Sequence, residues 1–413
     1  MPLSTNNQVR NSSSPIQKLL PPGWCWVRLG EMCEERPGTQ DPRSEPDKPF
    51  QYVDITSIDT LTKKIVASKT LLGQAAPSRA RQVIRTGDVL VATTRPNLNA
   101  VALVPPEIDN QICSTGFCVL RPKLGLDSAY LFAFVQSTEF IQSLSDLVTG
   151  ALYPAVTDKQ VRAQHISLPS LTEQQRIAAI LNEQLASVER TRVATEAQLE
   201  AATSLPAAYL RGVFNSPEVK QWPRRRFGDV CDIVAKQVDP KVPEYGALPH
   251  VNGENIKSGH CRLSYLNTAA KEGMISGKYL FEPGDVLYSK LRPYLRKAFV
   301  ADFRGVCSAD MYPIRINHEL LDPHFTAWLL VSDEFTEYAD GESRRARMPK
   351  LNREQLFAWN ALLPPLPDQR RIASQLSAQM ASTERLRQTL AEQLDAINKL
   401  PAALLRRAFN GEL

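Results

Sequence analysis

Two long segments of the chain carry a regular hydrophobic stripe along an otherwise polar surface. In residues 168–215 the stripe advances by alternate steps of four and three residues, and residues 363–410 repeat the same steps. A period of 3.5 residues is typical of a coiled-coil seam, so each segment is predicted to be a long helix packed on a partner helix. The stripe positions are Leu181, Leu185, Val188, Arg192, Thr195, Leu199 and Ala202 in the first segment, and Leu376, Met380, Thr383, Arg387, Leu390, Leu394 and Ile397 in the second.

The ends of these helices are predicted from capping residues and prolines. Thr172 with Gln175 offers a capping box at the start of the first helix. Pro206 and Pro401 occupy the same place in the two segments, and each is expected to open a new short helix. About 33 residues then remain in each long helix, or roughly 50 Å. The partner is either a second copy of the chain or the other helix of the same chain, running antiparallel, and the matching stripes favour the latter.

The remainder of the chain has a different pattern of short apolar runs separated by turn-forming residues. Runs such as "GDVLVATT", "AVALVPP", "FCVLRP", "GDVLYS" and "KAFVAD" are bounded by Gly, Pro, Asn and Asp, which predicts β-strands. Two amphipathic pieces, "SAYLFAFVQSTEFIQSLS" and "DPHFTAWLLVSDEFTEYA", are predicted to be matching helices. The fold class is therefore α+β.

These elements occur twice, in the order A–B–A′–B′. The two helical segments align without a gap at an offset of 195 residues, with 25 of 48 positions identical. Fainter matches join "GDVLVATTRP" to "GDVLYSKLRP" and "ICS" to "VCS". We predict a tandem duplication of a whole domain, since solenoid repeats are only 20–50 residues long. The expected divisions are an N-terminal arm (1–19), domain A (20–166), segment B (167–216), domain A′ (217–361) and segment B′ (362–413).

Composition indicates the number of domains, the redox compartment and the type of partner. The 413 residues suffice for two or three domains, and no apolar run approaches the length of a membrane span. Seven scattered cysteines suit free thiols in the cytoplasm better than a disulfide framework. The net charge of +5 is compatible with binding nucleic acid.

Motifs of common catalytic and cofactor sites are missing from the sequence. There is no glycine-rich loop for a nucleotide or for S-adenosylmethionine, no CxxC motif and no pair of histidines at ligand spacing. The chain is therefore predicted to catalyse nothing alone and to bind no cofactor or metal.

Basic residues cluster at equivalent places in A and A′. After the shared "GDVL", domain A has Arg95, Asn97 and Asn99, whereas A′ has Lys290, Arg292, Tyr294, Arg296 and Lys297. A second A′ cluster contains Arg344, Arg345, Arg347 and Lys350, its counterpart in A offers Tyr153, and Arg79 and Arg81 add further basic surface. Arg and Lys can bind phosphates or guanine edges, and Asn suits adenine, so these fifteen residues are the predicted DNA contacts.

The duplicated "LPSLTEQQRIAAIL" and "LPPLPDQRRIASQL", with "LPPGW" near the start and "RRAFNGEL" at the end, resemble the specificity subunits of type I restriction–modification systems. The resemblance spans about residues 18–413. It implies that A and A′ are target-recognition domains, each reading half of a split sequence in double-stranded DNA. It also implies that B and B′ form an antiparallel coiled coil that docks two methyltransferase subunits, joined in turn by restriction subunits. S-adenosylmethionine, ATP and Mg²⁺ would be bound by those partners.

Two alternatives remain at this point. One is a non-catalytic adaptor that holds other proteins on its coiled coil without reading DNA. The other is a nuclease or methyltransferase that acts alone, which the missing motifs disfavour.

Overall fold

The computed structural model describes residues 20–148, 154–343 and 349–413. The predicted N-terminal arm lies outside these residues. The chain divides into two compact units, each of which takes part of both long helices. The first unit contains residues up to Ala194 together with Leu394–Leu413, and the second contains Thr195–Gln393.

The first unit combines short strands with short helices before its long helix begins. Its strands are β1 (Cys25–Arg28), β2 (Pro49–Val53), β3 (Ile58–Asp59), β4 (Lys64–Ile65), β5 (Lys69–Leu72), β6 (Ala80–Ile84), β7 (Val89–Ala92), β8 (Val101–Leu103), β9 (Gln111–Ser114), β10 (Phe117–Leu120) and β11 (His165–Leu168). Its helices are α1 (Leu29–Met32), α2 (Ser128–Phe134), α3 (Thr138–Ser145), α4 (Asp158–Arg162) and the first part of α5 (Leu171–Phe214).

The second unit repeats this order of elements. Its strands are β12 (Arg224–Arg226), β13 (Cys231–Ile233), β14 (Gln237–Val238), β15 (Pro249–Val251), β16 (Ile256–Lys257), β17 (Arg262–Leu263), β18 (Asn267–Thr268), β19 (Lys278–Phe281), β20 (Val286–Ser289), β21 (Ala298–Val300), β22 (Gly305–Cys307), β23 (Met311–Ile316) and β24 (Asn360–Leu362). Its helices are α6 (Pro243–Gly246), α7 (Pro323–Leu329), α8 (Asp333–Ser343), α9 (Arg353–Ala358) and most of α10 (Leu366–Phe409).

The strand pairings of the two units correspond, which confirms the duplication and the α+β class. A sheet ordered β5-β2-β9-β6 in the first unit matches the core of β14-β19-β22-β15-β18 in the second. Both contain one parallel pair, in which Val53 faces Cys113 and Val251 faces Cys307. A second sheet, β10-β7-β8, matches β23-β20-β21, and the hairpin β3–β4 matches β16–β17. The predicted strands around both "GDVL" motifs are all present.

The prediction that prolines interrupt the long helices is wrong, because α5 and α10 each run unbroken for 44 residues with Pro206 and Pro401 inside. An internal proline costs about 3 kcal/mol by removing a backbone donor and crowding the preceding turn. The turns that follow bury Leu210 and Phe214 in one unit and Leu405 and Phe409 in the other. Burial of each such side chain contributes about 1.5–3 kcal/mol, so two of them offset the proline.

The predicted capping box at Thr172 is also wrong. Helix α5 already begins at Leu171, and the Ser170 hydroxyl accepts a hydrogen bond from the Glu173 amide at 3.3 Å. Serine is a preferred N-cap because its oxygen satisfies an amide that has no partner inside the helix. The sequence pattern therefore placed the cap two residues late.

The hydrophobic stripe is the buried face of both helices. Leu181, Thr195, Leu376, Met380, Thr383 and Leu390 are buried, and Leu185, Val188, Leu199, Leu394 and Ile397 are partly buried. In the first unit the beginning of α5 and the end of α10 share one core, around Leu181 and Phe409. In the second unit the end of α5 and the beginning of α10 do so, around Phe214 and Leu376. In each unit the beginning of one helix therefore packs near the end of the other, as the antiparallel intramolecular arrangement requires.

A buried glutamine attaches each long helix to the domain that precedes it. In the first unit the Gln174 carbonyl oxygen accepts from the Asp127 amide at 2.9 Å, and its NH₂ group donates to the carbonyls of Gly125 and Pro169, both at 3.0 Å. Asp127 in turn caps α2. Glutamine occupies this position of "LPxLxxQ" in both copies because its side chain both donates and accepts hydrogen bonds.

Gln369 makes the equivalent contacts in the second unit. It accepts from the amide of Asp322, the cap of α7, at 2.9 Å and donates to the carbonyls of Leu320 and Pro364 at 3.0 and 2.9 Å. No helix among residues 20–148, 154–343 and 349–413 is both long and apolar enough to cross a membrane.

Replacing Gln369 by Leu should destabilise the second unit by about 2–4 kcal/mol, because three hydrogen bonds disappear and their backbone partners stay buried. The urea midpoint of unfolding would measure the loss. The matched control is Gln375→Leu on the exposed face of the same helix. Equal midpoints for the two variants would show that the buried amide does not hold the helix.

Candidate nucleic-acid interface

The "GDVL" motif orients the strand that leads to each basic cluster. Asp88 is buried before β7 and accepts two hydrogen bonds from the Arg121 guanidinium, from Nε at 2.8 Å and Nη2 at 2.7 Å. Asp285 before β20 accepts the same two bonds from Arg315, at 2.9 and 2.8 Å. Such paired bonds fix the angle between the two planar groups as well as their distance. The aspartate therefore ties β7 to the end of β10, and β20 to β23.

The loop that follows each strand has an unusual backbone conformation. Residues 95–99 and 292–296, here called the left-handed loops, contain one turn of 3-10 helix between two residues with positive φ. Those residues are Arg95 and Asn99 (φ 51° and 46°) and Arg292 and Arg296 (φ 50° and 49°). Each residue in this region costs roughly 1–3 kcal/mol when it is not glycine, and such residues concentrate at functional sites. Both domains maintain the same strained shape.

Contacts at both ends hold the left-handed loop of domain A. The Arg95 amide donates to the carbonyl of Pro154 at 2.8 Å. At the other end the Asn99 side chain donates to the carbonyl of Val135 at 3.0 Å. The Lys63 ammonium, from the turn of the β3–β4 hairpin, donates to the Asn99 carbonyl at 2.6 Å. The loop is therefore fixed to the end of α2 and to the hairpin.

The left-handed loop of domain A′ is held at the same points by different residues. The Arg292 amide donates to the carbonyl of Pro349 at 2.9 Å. Arg296 forms an ion pair with Asp333 at 2.5 Å. The turn of the β16–β17 hairpin again meets the end of the loop, where the Ser258 hydroxyl donates to the Leu295 carbonyl at 2.6 Å. The Gly259 amide donates to the Arg296 carbonyl at 2.9 Å.

The predicted contact residues divide into exposed, partly buried and buried groups. Arg79, Arg95, Asn97, Arg292, Tyr294 and Lys350 are exposed, Arg81, Arg296 and Lys297 are partly buried, and Asn99 and Lys290 are buried. Tyr153, Arg344, Arg345 and Arg347 lie outside the described residues. Lys350, the described member of the second cluster, adjoins the first cluster, because Leu291 and Lys350 form a β-bridge. Thr94 and Ala155 form the same bridge in domain A.

Several of these cations are engaged within the protein. Arg81 pairs with Asp41 at 3.2 Å, and Lys297 donates to the Gly253 carbonyl. The Lys290 ammonium lies 4.6 Å from the ring centroid of Tyr312, a cation–π contact, and burial lowers the pKa of this lysine. These three side chains are therefore held by groups of their own unit.

The side chains at the tips of the left-handed loops face solvent. With the described residues, the guanidinium groups of Arg95 and Arg292 form neither a hydrogen bond nor an ion pair. Beside them domain A exposes Asn97 and Leu98, whereas domain A′ exposes Tyr294. A guanidinium can bind a phosphate or the O6 and N7 atoms of guanine, and an amide can bind adenine. One backbone shape thus presents two different sets of groups.

Sequence reasoning missed the two hairpins that support these loops. Lys63 and Cys261 occupy equivalent turns, and both have positive φ. Neither turn contains a motif, and the hydrogen bonds of Lys63 and Ser258 join residues 36 and 37 positions apart. The glutamines at 174 and 369 were also missed, although their identity in both copies of the motif was a visible signal.

Comparison with known proteins agrees with this architecture. Residues 21–201 and 219–396 each match the type I restriction modification DNA specificity domain. The specificity subunit of type I restriction enzyme EcoDI from Escherichia coli is 28% identical over 305 residues, which cover 66% of this chain and 68% of that protein.

Two solved structures extend the likeness over nearly the whole chain. The HsdS subunit from Thermoanaerobacter tengcongensis is 34% identical with a TM-score of 0.71, covering 95% of this chain and 98% of its own. A chain from work on complex assembly and conformational transition of the type I R-M system is 34% identical with a TM-score of 0.74, covering 96% and 100%.

The two matched domains and the repeated helices define a DNA-recognition protein. The chain belongs to the family of type I restriction–modification specificity subunits, and it is the DNA-recognition subunit of such a system. An adaptor that does not read DNA does not fit this membership.

The Lys63 contact makes the stability of the first unit depend on pH. Burial lowers the pKa of Lys63 from 10.5 to about 8, against a smaller opposing effect of Asp59. Between these values the unfolded chain keeps a proton that the folded chain has lost, so the free energy of unfolding rises with pH in this window. Lys63→Met should remove that rise. Urea unfolding across the window tests it, with exposed Lys64→Met as the charge control, and parallel pH curves for wild type and Lys63→Met would contradict it.

Proposed function

We propose that each left-handed loop is the principal DNA-reading element of its domain, and that the two loops read the two different halves of a bipartite, asymmetric target. The observation that carries this proposal is a strained loop of the same conformation in both domains, with different exposed side chains at its tip. Equivalent scaffolds with different base-contacting groups are what two half-sites of different sequence require.

The exposed residues divide into roles by their chemistry. Arg95 and Arg292 reach the DNA from equivalent positions, Asn97 provides an amide in domain A, and Tyr294 provides a ring and a hydroxyl in A′. Lys350, which adjoins the A′ loop, and the exposed Arg79 of domain A suit phosphate contacts that position the domain without selecting a base. In the sequence Tyr153 directly precedes Pro154, and Arg344, Arg345 and Arg347 precede Pro349; these four residues remain predicted contacts.

Two buried members of the predicted set, Asn99 and Lys290, and the partly buried Lys297 have a supporting role in this proposal. Asn99, Lys290 and Lys297 direct their polar groups to the backbone or to an aromatic ring of the same unit. Their substitution would therefore act through the shape of the loop.

We infer that the repeated helices dock two methyltransferase subunits, since two like surfaces suit two like partners, and that restriction subunits join the complex through them. The 25 identities in 48 aligned positions of B and B′ support this, since the domains between them have diverged much further. S-adenosylmethionine, ATP and Mg²⁺ are assigned to those partners, and this chain is proposed to be non-catalytic. Its seven cysteines are free thiols, which supports a cytoplasmic location.

Arg292→Ala tests the reading role of the A′ loop. If Arg292 pairs with a base, the preference at one position of the A′ half-site should fall by about 1–3 kcal/mol. If it binds a phosphate, all sequences should weaken alike and the slope of log affinity against log salt should fall by about one unit. Selection from a random-sequence duplex library, followed by titration at several salt concentrations, distinguishes these outcomes.

Two further variants complete this comparison. Arg95→Ala should change only the other half-site, and the exposed Lys241→Ala controls for the loss of one positive charge in A′. A selected sequence and salt slope that are unchanged in both arginine variants would remove the left-handed loops from the interface.

The assignment of chemistry to the partners gives a separate prediction. The purified chain should bind no S-adenosylmethionine by calorimetry and transfer no methyl group to its selected DNA duplex. Addition of the methyltransferase subunit should restore transfer at both half-sites. Methylation by the highly purified chain alone would contradict the proposal.

A further inference from the structure

In each unit a hairpin lies between the left-handed loop and the long helix. The turn of each hairpin contacts the carbonyl groups at the end of the loop, through Lys63 in one unit and through Ser258 and Gly259 in the other. In the second unit the first strand of the hairpin contacts charged residues of the helix, and in the first unit the charge of Asp59 lies near the charges of Glu189 and Arg192. The hairpin therefore connects the proposed DNA-reading element to the helix.

In the second unit the connection to the helix is an ion pair. The Lys257 ammonium donates to both carboxylate oxygens of Glu384, each at 3.0 Å. Arg387, one turn further along α10, donates to the same carboxylate at 3.2 Å. The hydrogen bond from Lys257 is the main cause of the lowered pKa of Glu384.

In the first unit the hairpin has the opposite charge at this position. Asp59 replaces Lys257, since Asp59 pairs with Lys64 across its hairpin as Lys257 pairs with Arg262. The helix nevertheless carries the same two residues, Glu189 and Arg192, joined by hydrogen bonds of 2.8 and 2.7 Å. The amides of Leu61 and Thr62 lower the pKa of Asp59, and the charge of Arg192 lowers it further.

We propose that the glutamate and arginine one turn apart on each long helix, Glu189 with Arg192 and Glu384 with Arg387, position the left-handed loop by attracting a hairpin residue of either charge. The glutamate binds a basic hairpin residue directly, as Glu384 binds Lys257 in the second unit. The charge of the arginine attracts an acidic one at longer range, as that of Arg192 does for Asp59 in the first. Recognition domains that diverge in sequence can thus keep the same attachment to an unchanged helix. This inference rests on the proposed reading role of the loops.

The second unit contains an unpaired hydrogen-bond donor that could bind an acidic hairpin residue, as this proposal requires. Although Lys257 uses Glu384, the Nε atom of Arg387 is buried and has no hydrogen-bond partner among the described residues. An acidic residue at position 257 could therefore accept a hydrogen bond from Arg387, which would offset its repulsion by the Glu384 carboxylate. Among the described residues the guanidinium of Arg387 forms one hydrogen bond, to Glu384.

The test changes the charge on each side of this contact in the full chain. Glu384→Gln leaves Lys257 next to Arg387 without an acid, and should reduce discrimination at the A′ half-site about two- to fivefold, the range expected for a half-exposed ion pair. Adding Lys257→Glu to the Glu384→Gln variant should restore wild-type discrimination, because the new carboxylate can bind Arg387. Lys257→Glu alone should reduce discrimination less than Glu384→Gln does. The A half-site should stay constant throughout, and Lys241→Glu controls for net charge.

The measurements are competition between the selected duplex and one with its A′ half replaced, and hydrogen exchange at the Gly259 amide, which donates to the loop. Exchange should accelerate in Glu384→Gln and slow again in the double variant. An unchanged Glu384→Gln variant, or a double variant no better than it, would overturn the inference. Because hydrogen exchange needs no DNA, it decides the hairpin contact even if Arg292→Ala shows that the loop does not read bases.

Discussion

The attachment of each long helix to its domain depends on one buried amide side chain. Gln174 and Gln369 are almost completely inaccessible to solvent, and each joins the start of its helix to the cap of a short helix in the domain. An amide suits this place because it satisfies one backbone donor and two backbone acceptors at once, and a buried polar group left without a partner is costly. The contact adds a fixed direction to the apolar core that the helix shares with the domain.

The left-handed loops show how a rigid frame sustains local strain. Two non-glycine residues with positive φ in a five-residue loop are unfavourable alone, so the surrounding contacts must hold them. The frame consists of the aspartate–arginine pair before the strand, the bridge to Ala155 or Lys350, and the hairpin at the far end. These contacts involve backbone groups for the most part, which leaves the side chains at the tip free to differ between the domains.

Duplication allows some parts of the chain to vary while others stay constant. The helical segments share 25 of 48 aligned residues, including the glutamine and the Glu–Arg pair, whereas the exposed loop tip keeps its arginine, Arg95 or Arg292, but has Asn97 in one domain and Tyr294 in the other. Under the proposed function, residues assigned to a common partner surface remain the same, and residues assigned to different half-sites can differ. The chemistry of a DNA-recognition subunit fits this division, because affinity for the phosphate backbone is general and base contacts are specific.

The sequence by itself determined the duplication, the α+β class, the family and the buried stripe of the helices, because periodicity and repetition are properties of local order along the chain. It also placed the basic clusters at equivalent positions. Only the tertiary structure decided that α5 and α10 continue through Pro206 and Pro401, since burial of distant side chains overrides a local helix rule. It likewise decided that Lys290 and Asn99 point inward and that a hairpin joins the loop to the helix. Those contacts link residues far apart in sequence, and no periodicity or repeat along the chain predicts which side chains become partners.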